Sequence, residues 1–316
     1  MEWLPLAPFE PISATQIPTG EQWIAQIKWD GVRMLTYFDG QEVRLFNRRL
    51  NERTMQYPEL SQPSTFCRSS SFIIDGELIA FDENKPSFHE IMKRDSLRRL
   101  DHIERAVKRT PVVYMIFDVL YIEGKSVMDK PLLERQALLN EYIIPHDNIQ
   151  VVQNFSDASQ LLKVMKAHQM EGIVCKNTES TYSVAGKDKR WQKIKIFYDL
   201  HAIVGGITLN HDTVNSMLLG LYNATGEFVY IGHSGPGKLA GMELQNLTNQ
   251  AKAAIIPEMP FMNKPERYKD VLWVNPQIIV KIQYMEWTTH GTMRHPTVQA
   301  IVTAVHLEDC TFKQLD

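Results

Sequence analysis

The chain lacks most of what would mark a specialised environment. Its 316 residues include three cysteines, Cys67, Cys175 and Cys310, without paired spacing. So sparse and odd a set argues against a disulfide scaffold or a zinc site and fits reduced thiols in a cytoplasmic protein. No run of about 18 apolar residues occurs, so no membrane span is expected. The start, MEWLPLAPFEP, has neither a basic lead nor a long apolar stretch and does not read as a signal peptide. An excess of positive charge is also missing. The net charge is −3, which does not advertise a nucleic-acid partner. Any grip on phosphates must come from local clusters, of which Lys93-Arg94, Arg98-Arg99, Lys108-Arg109 and the stretch 187–195 are candidates. What is present is ordinary globular composition, 44% hydrophobic and 22% charged, enough for a sizeable core. The length suggests two domains at ~100–200 residues each.

The chain is organised around Ile27-Lys28-Trp29-Asp30-Gly31-Val32-Arg33. Residues 23–30 read as one strand, with Gln26, Lys28 and Asp30 on one side and Ala25, Ile27 and Trp29 on the other. A lysine and a carboxylate meet at its end. Gly31 permits a sharp turn or a close approach to a ligand, and Arg33 offers a fork for phosphate or sugar oxygens. Taken alone, such a motif reads as an exposed strand end with an ordinary ion pair.

Residues 1–20 form an extended lead-in. A hairpin follows, 32–38 and 42–46 around Asp39-Gly40. The strand 72–81 puts Asp75 and Glu77 on one face, directed either to a site or simply to water. Residues 87–107 read as helical pieces with a basic, solvated face. The run 112–122 is an apolar strand broken by Asp118. Helices are expected over 131–143, with Pro131 in the first turn, and from a Ser156 cap to about Met170. Strands over 171–176 and 191–196 follow, the second aiming Lys193 and Lys195 to one side. Beyond Tyr198 come short strands (200–207, 217–222, 228–232, 271–274 and 278–287) and one helix (238–254), a pattern that suits a small β-barrel. The domains are therefore 1–197 and 198–316. Cys175, Trp29 and the many methionines read as packing residues. His233, His290 and His295 lack metal-ligand spacing.

One feature recurs along these strands, a charged residue on each polar face. Many acids and bases converging on a pocket suit a phosphate-rich ligand with a metal ion. Their order resembles a known family. Lys28-x-Asp30-Gly31-x-Arg33, Asp75-Gly76-Glu77, Phe117-Asp118, Glu171-Gly172-Ile173-Val174-x-Lys176, Lys193-x-Lys195 and Arg294-His295-Pro296 resemble the six ordered motifs of the covalent nucleotidyltransferases. They are most similar to compact bacterial ATP-dependent DNA ligases of the end-joining type. The resemblance implies an α+β fold, an adenylation domain of antiparallel sheets followed by an OB-fold barrel. It implies a monomer that seals nicked double-stranded DNA using ATP and Mg²⁺ or Mn²⁺.

By the same resemblance, Lys28 attacks the α-phosphate to form a lysyl–AMP bond. Lys193 and Lys195 hold the triphosphate, and Asp30 and Glu171 hold the metal. Glu77 meets the ribose, and Phe117 packs on the adenine beside Ile27 and Val174. Arg33 and Arg48 meet sugar, phosphate or nick, and Arg294 orients the pyrophosphate as the domains hinge near Tyr198. One departure stands out: Gln26 occupies a position that is acidic in many bacterial relatives and contacts the adenine. DNA grip is expected from both domains and a loop such as 211–215. The rival readings are an RNA ligase or capping-type enzyme and a catalytically silent OB-fold nucleic-acid-binding module.

Overall fold

The structure is a computed structural model and describes residues 4–83, 85–266, 268–288 and 290–315. The first three residues of the expected lead-in fall outside this range. The chain packs as two compact units, Met1–Lys195 and Ile196–Asp316. Tyr198, expected at a hinge, opens a 13-residue strand.

In the first unit the apolar runs build two sheets. The larger follows the path Val43–Asn47, Val32–Phe38, Phe72–Asp82, Val112–Ile122 and Lys125–Ser126, with Lys85–Pro86 and Ile149–Val151 attached. Its main neighbours are antiparallel. The smaller runs Ile12–Ser13, Trp191–Lys195, Gly172–Asn177 and Trp23–Ile27, antiparallel except at the short Ile12–Ser13 edge. Leu35, Ile73 and Leu120 of the larger sheet pack with Phe9, Tyr182 and Trp191 in one buried cluster. Each fully buried large apolar side chain there contributes roughly 1.5–3 kcal/mol. The other face of the larger sheet buries Met34, Ile74 and Ile116 with Leu139 of the helix Leu132–Tyr142.

The expected strand over 23–30 is shorter, Trp23–Ile27. Lys28 to Gly31 instead carry the chain from the smaller sheet to the larger, which it enters at Val32. Gly31 is needed because a Cβ there would lie 2.2 Å from the Leu78 carbonyl oxygen, so its close approach is to a neighbouring strand. The water-facing reading of Asp75 fails: it is fully buried and takes two bonds from Arg33, at 2.9 and 2.6 Å.

The helical region resolves into Phe88–Asp95 and Leu100–Arg109. Arg94 departs from the solvated face assigned to it. It is wholly buried, and its guanidinium is satisfied by Glu59 at 2.9 Å and the Thr110 carbonyl at 2.8 Å. Asp157, not Ser156, caps the helix Ala158–Ala167 by accepting from the Gln160 N–H at 2.8 Å. Pro131 caps rather than enters Leu132–Tyr142.

The second unit is a five-stranded antiparallel sheet in the order Phe228–Ser234, Thr213–Tyr222, Tyr198–Asn210, Leu272–Tyr284 and Thr297–Val302, with the helix Gly241–Ala253. The sheet curls so that its ends approach. Lys238 N–H donates to the Val298 carbonyl at 2.9 Å, and Ser234 Oγ to that of Pro296 at 3.0 Å. The strands expected over 271–274 and 278–287 are one strand, Leu272–Tyr284, with a register shift around Pro276, whose missing N–H cannot join the ladder. The loop expected over 211–215 is a tight turn at His211-Asp212, since Thr213 already begins the next strand.

Asp118 shows why the apolar strand tolerates an acid. Arg135 reaches it at 2.7 and 2.9 Å and also bonds the Lys130 and Ser180 carbonyls, with both side chains wholly buried. Removing one partner strands the other charge, which costs ~3–5 kcal/mol. Arg135→Ala should lower unfolding free energy by about that amount in urea titration, whereas exposed Lys130→Ala should cost under ~1 kcal/mol.

Candidate active site

The three longer strands of the smaller sheet bring the sequence motifs into register. Lys193 lies opposite Val174, and Val174 opposite Gln26. Two residues along, Lys195 lies opposite Gly172, whose carbonyl accepts from the Lys28 N–H at 3.0 Å. Glu171 sits at this end, between the two lysines. Its Oε2 is 2.5 Å from Lys28 Nζ and its Oε1 is 2.8 Å from Lys195 Nζ. Gly172 makes the arrangement possible, because its φ is +140° and a Cβ would meet the Ile194 carbonyl oxygen at 2.1 Å.

Glu171 is 7% exposed. Burial raises its carboxyl, but Lys28 and Lys195 outweigh burial and hold it below the ordinary value. Glu77 behaves oppositely. Burial pushes its carboxyl up to about 8, against the pull of Lys28 and Arg33. Near neutral pH it therefore keeps a proton and offers both a donor and an acceptor. Lys193 is lowered by burial and by the neighbouring cations Lys195 and Lys28.

A cavity of about 590 Å³ opens beside this cluster, walled by Gln26, Ile27, Lys28, Arg33, Arg48, Glu77, Phe117, Val174 and Lys193 among others. That volume lies in the range of cofactor and ligand sites. Phe117 and Val174 supply apolar wall, and the lysines supply charge. Arg33 is tied to Asp75 and to the Phe9 carbonyl, the latter at 2.6 Å, and lies 5.3 Å from the Phe117 ring centre. It thus braces the wall as well as facing the cavity. Arg48 is 62% exposed and bonds Glu10 at 2.5 Å. Asp30 is half-buried on the crossing stretch and is not among the wall residues. Arg294 belongs to the second unit, where its Nη1 bonds Glu286 at 2.8 Å.

Among the described residues, no group of three or more His, Cys, Asp or Glu is arranged to hold a metal. Both Glu171 oxygens already face ammonium groups. A divalent ion that keeps its waters and binds through one or two carboxylates and a phosphate still fits this donor set; an all-protein cage does not.

Two wall residues had no role from sequence. Lys176 Nζ is buried without a hydrogen-bond partner, 4.2 and 4.0 Å from the Phe117 and Trp191 ring centres. Burial lowers its amine to about 7. Trp191 backs the same wall. Lys176 closes the Glu171-Gly172 motif, and that position was its only sequence signal.

Two family models match. One described as ATP dependent DNA ligase domain covers residues 8–195, and one described as ATP dependent DNA ligase C terminal region covers 210–302. The DNA ligase of Thermococcus fumicolans is 29% identical over 275 residues, 83% of this chain and 47% of that protein. The multifunctional non-homologous end joining DNA repair protein LigD of Mycobacterium tuberculosis (strain ATCC 25618 / H37Rv) is 27% identical over 281 residues, 86% of this chain and 35% of that one. The chain thus spans less than half the length of these curated relatives. In fold it is similar to the solved mycobacterial DNA ligase D complexed with ATP and MES. That likeness has a TM-score of 0.55 at 24% identity, over 98% of this chain and 99% of that one.

The raised Glu77 carboxyl gives a pH signature. Its stabilising share is fully present below pH 4.5 and is lost as pH rises through about 8. In urea unfolding, Glu77→Gln should gain stability relative to the unaltered chain as pH rises across that window. A constant gap would contradict the assignment.

Proposed function

The chain belongs to the ATP-dependent DNA ligase family, and from that premise we propose that it seals 5′-phosphate/3′-hydroxyl nicks in duplex DNA. Residues 1–197 serve as the adenylation domain and 198–316 as the OB-fold domain. The observation that carries the reading is the Lys28–Glu171–Lys195 bridge, whose Lys28 lines a nucleotide-sized cavity. An amine that is to attack phosphorus needs an oriented lone pair, an acceptor for its proton and cations for the leaving charge. Glu171 orients the Lys28 nitrogen, and Lys193 and Lys195 supply the cations.

Lys28 Nζ forms a bond to the α-phosphorus as the bond to pyrophosphate breaks. The AMP then passes to the 5′-phosphate of the nick, freeing Lys28. The 3′-hydroxyl finally attacks that 5′-phosphorus and AMP leaves. Phe117 and Val174 bracket the base with Ile27 and Gln26 at its edge. Protonated Glu77 bonds the ribose, and orphaned Lys176 finds an acceptor on the nucleotide. Arg33 and Arg48 face sugar, phosphate or nick, and Arg294 meets the pyrophosphate. Asp30 and Glu171 would hold Mg²⁺ or Mn²⁺, which supplies charge neutralisation at the phosphates. The phosphate contacts position DNA without reading its sequence.

With α-labelled ATP, Mg²⁺ and a nicked duplex, the protein should acquire label and join the strands. Lys28→Ala should do neither, a loss of at least about 10⁴-fold of the kind expected on removing a nucleophile. Label without joining of DNA would move the substrate toward RNA, and label from GTP alone toward capping. No label at all would remove the enzymatic reading.

A further inference from the structure

The lead-in at the start of the chain is tied down at several points. Phe9 is buried and meets Trp191 edge to face, with ring centres 5.1 Å apart. Its N–H donates to the Tyr182 hydroxyl at 3.0 Å, and its carbonyl accepts from Arg33 at 2.6 Å. The Glu10 N–H donates to the Gly186 carbonyl at 2.8 Å, and the Ala14 N–H to that of Lys193 at 3.0 Å. Between them, Ile12 and Ser13 pair with Gln192 and Lys193. The backbone of Glu10 is therefore held on both sides, and its side chain is the part that can move.

That side chain sits among cations. Glu10 Oε1 lies 2.5 Å from Arg48 Nε, and its Oε2 lies 3.6 Å from Lys187 Nζ. Glu10, Arg48 and Lys193 all wall the cavity. Burial lowers the Lys193 amine first, and Lys195, Lys28, Lys187 and Arg48 each lower it further, so one field joins all five cations. Glu171 bridges two of them, Lys28 and Lys195, and Glu10 bridges two others. The two bridges differ in kind. Glu171 is nearly buried between its lysines, whereas Arg48 and Lys187 are both more than half exposed. An exposed ion pair is worth little in water, so its partners exchange readily. Arg33 shows the opposite construction, held by both oxygens of the fully buried Asp75. A carboxylate also resembles part of a phosphate. It offers two oxygens and one charge, against three oxygens and about −1.5 to −2 for a terminal phosphate at pH 7.

We propose that Glu10 is a placeholder for a terminal phosphate, a resident carboxylate that the phosphate displaces from Arg48 and Lys187 as it enters the cavity. This rests on the nucleotidyl-transfer reading above and adds a selective step to that site. The exchange favours a terminal phosphate over an internal one. A terminal phosphate brings nearly two charges and three free oxygens to the cations and evicts one charge and two oxygens. An internal phosphodiester brings a single charge and gains nothing by the swap. Glu10 thus keeps Arg48 and Lys187 closed to the backbone phosphates that crowd any duplex, without weakening them toward a chain end. Two terminal phosphates meet the site in the proposed reaction, the 5′-phosphate of the nick and the γ-phosphate of ATP. The side chain swings aside for its replacement while the lead-in, anchored at Phe9 and Ile12, stays in place.

The test replaces Glu10 with its neutral isostere in the full chain. Fluorescence anisotropy in EDTA, which stops joining, gives the affinity for duplexes whose nick carries a 5′-phosphate or a 5′-hydroxyl. Covalent labelling by α-labelled ATP gives the KM for ATP. Where the nick supplies the phosphate, Glu10→Gln should raise the phosphate-over-hydroxyl affinity ratio about two- to fivefold, the worth of one exposed ion pair. Where the nucleotide supplies it, Glu10→Gln should lower the KM for ATP by the same factor. Either gain should vanish when Glu10→Gln is added to a protein already carrying Arg48→Gln and Lys187→Gln, because no cation is then left to compete for. A carboxylate that only braced the two cations would give the opposite sign, weaker binding, and that result overturns the inference. So does an unchanged ratio together with an unchanged KM, or a gain that survives removal of both cations. Each of these outcomes leaves the ligase reading standing while the unaltered protein takes label and joins strands. An unaltered protein that does neither overturns that reading and the inference with it.

Discussion

The site depends on one carboxylate shared by two ammonium groups. Glu171 is nearly buried and would be costly to ionise alone, yet Lys28 and Lys195 at 2.5 and 2.8 Å keep it charged. The pairing works in both directions. The Lys193 amine is lowered first by burial and then by Lys195 and Lys28, and the carboxylate shared by Lys28 and Lys195 offsets the repulsion among these cations. Convergence in turn fixes the local backbone: Gly172 must accept a left-handed φ and lie against the next strand with no side chain between. An uncompensated charge at this depth would cost several kcal/mol, so the lysines and the glutamate form a unit whose members cannot be exchanged singly.

Beside that unit the first domain builds a polar frame from buried arginines and their partners. Arg33 holds Asp75 and the Phe9 carbonyl, Arg135 holds Asp118 and two carbonyls, and Arg94 holds Glu59 and Thr110. Buried ion pairs are weak evidence for stability. Their value here is directional, because each planar guanidinium fixes several groups at once. Arg33 and Arg135 brace the strands that carry Glu77 and Phe117, and Gln136 Nε2 donates to the Phe117 carbonyl at 2.6 Å. The cavity wall is thereby set by side chains locked from behind.

The sequence was read most accurately where periodicity and register coincide. The strands Val32–Phe38 and Val112–Ile122 and the alternation of Lys193 and Lys195 against Ile194 were legible because a side chain's face on a strand follows from counting by two. Ends and interruptions were less legible. The strands expected over 271–274 and 278–287 are one strand in the structure, carried past Pro276 on a register shift. Ser156 and Asp157 are both good caps, and only the geometry of the first turn chose Asp157. Arg94 looked like a surface cation because its partner, Glu59, lies 35 residues away.

By itself the sequence determined the ordered set of lysines, acids and glycines, the antiparallel strand pattern and the change of character near residue 198. These are local properties, set by residue type and spacing. Only the tertiary structure decided which charges meet. It put Glu171 between Lys28, 143 residues away, and Lys195. It turned Asp75 and Asp118 inward to arginines, left Lys176 without a hydrogen-bond partner in the cavity wall, and joined Gln26 to Asn154, 128 residues away. The physical reason is that a buried polar group is defined by its partners. Partners distant in the chain are brought together by sheet pairing and close packing, which no local pattern encodes.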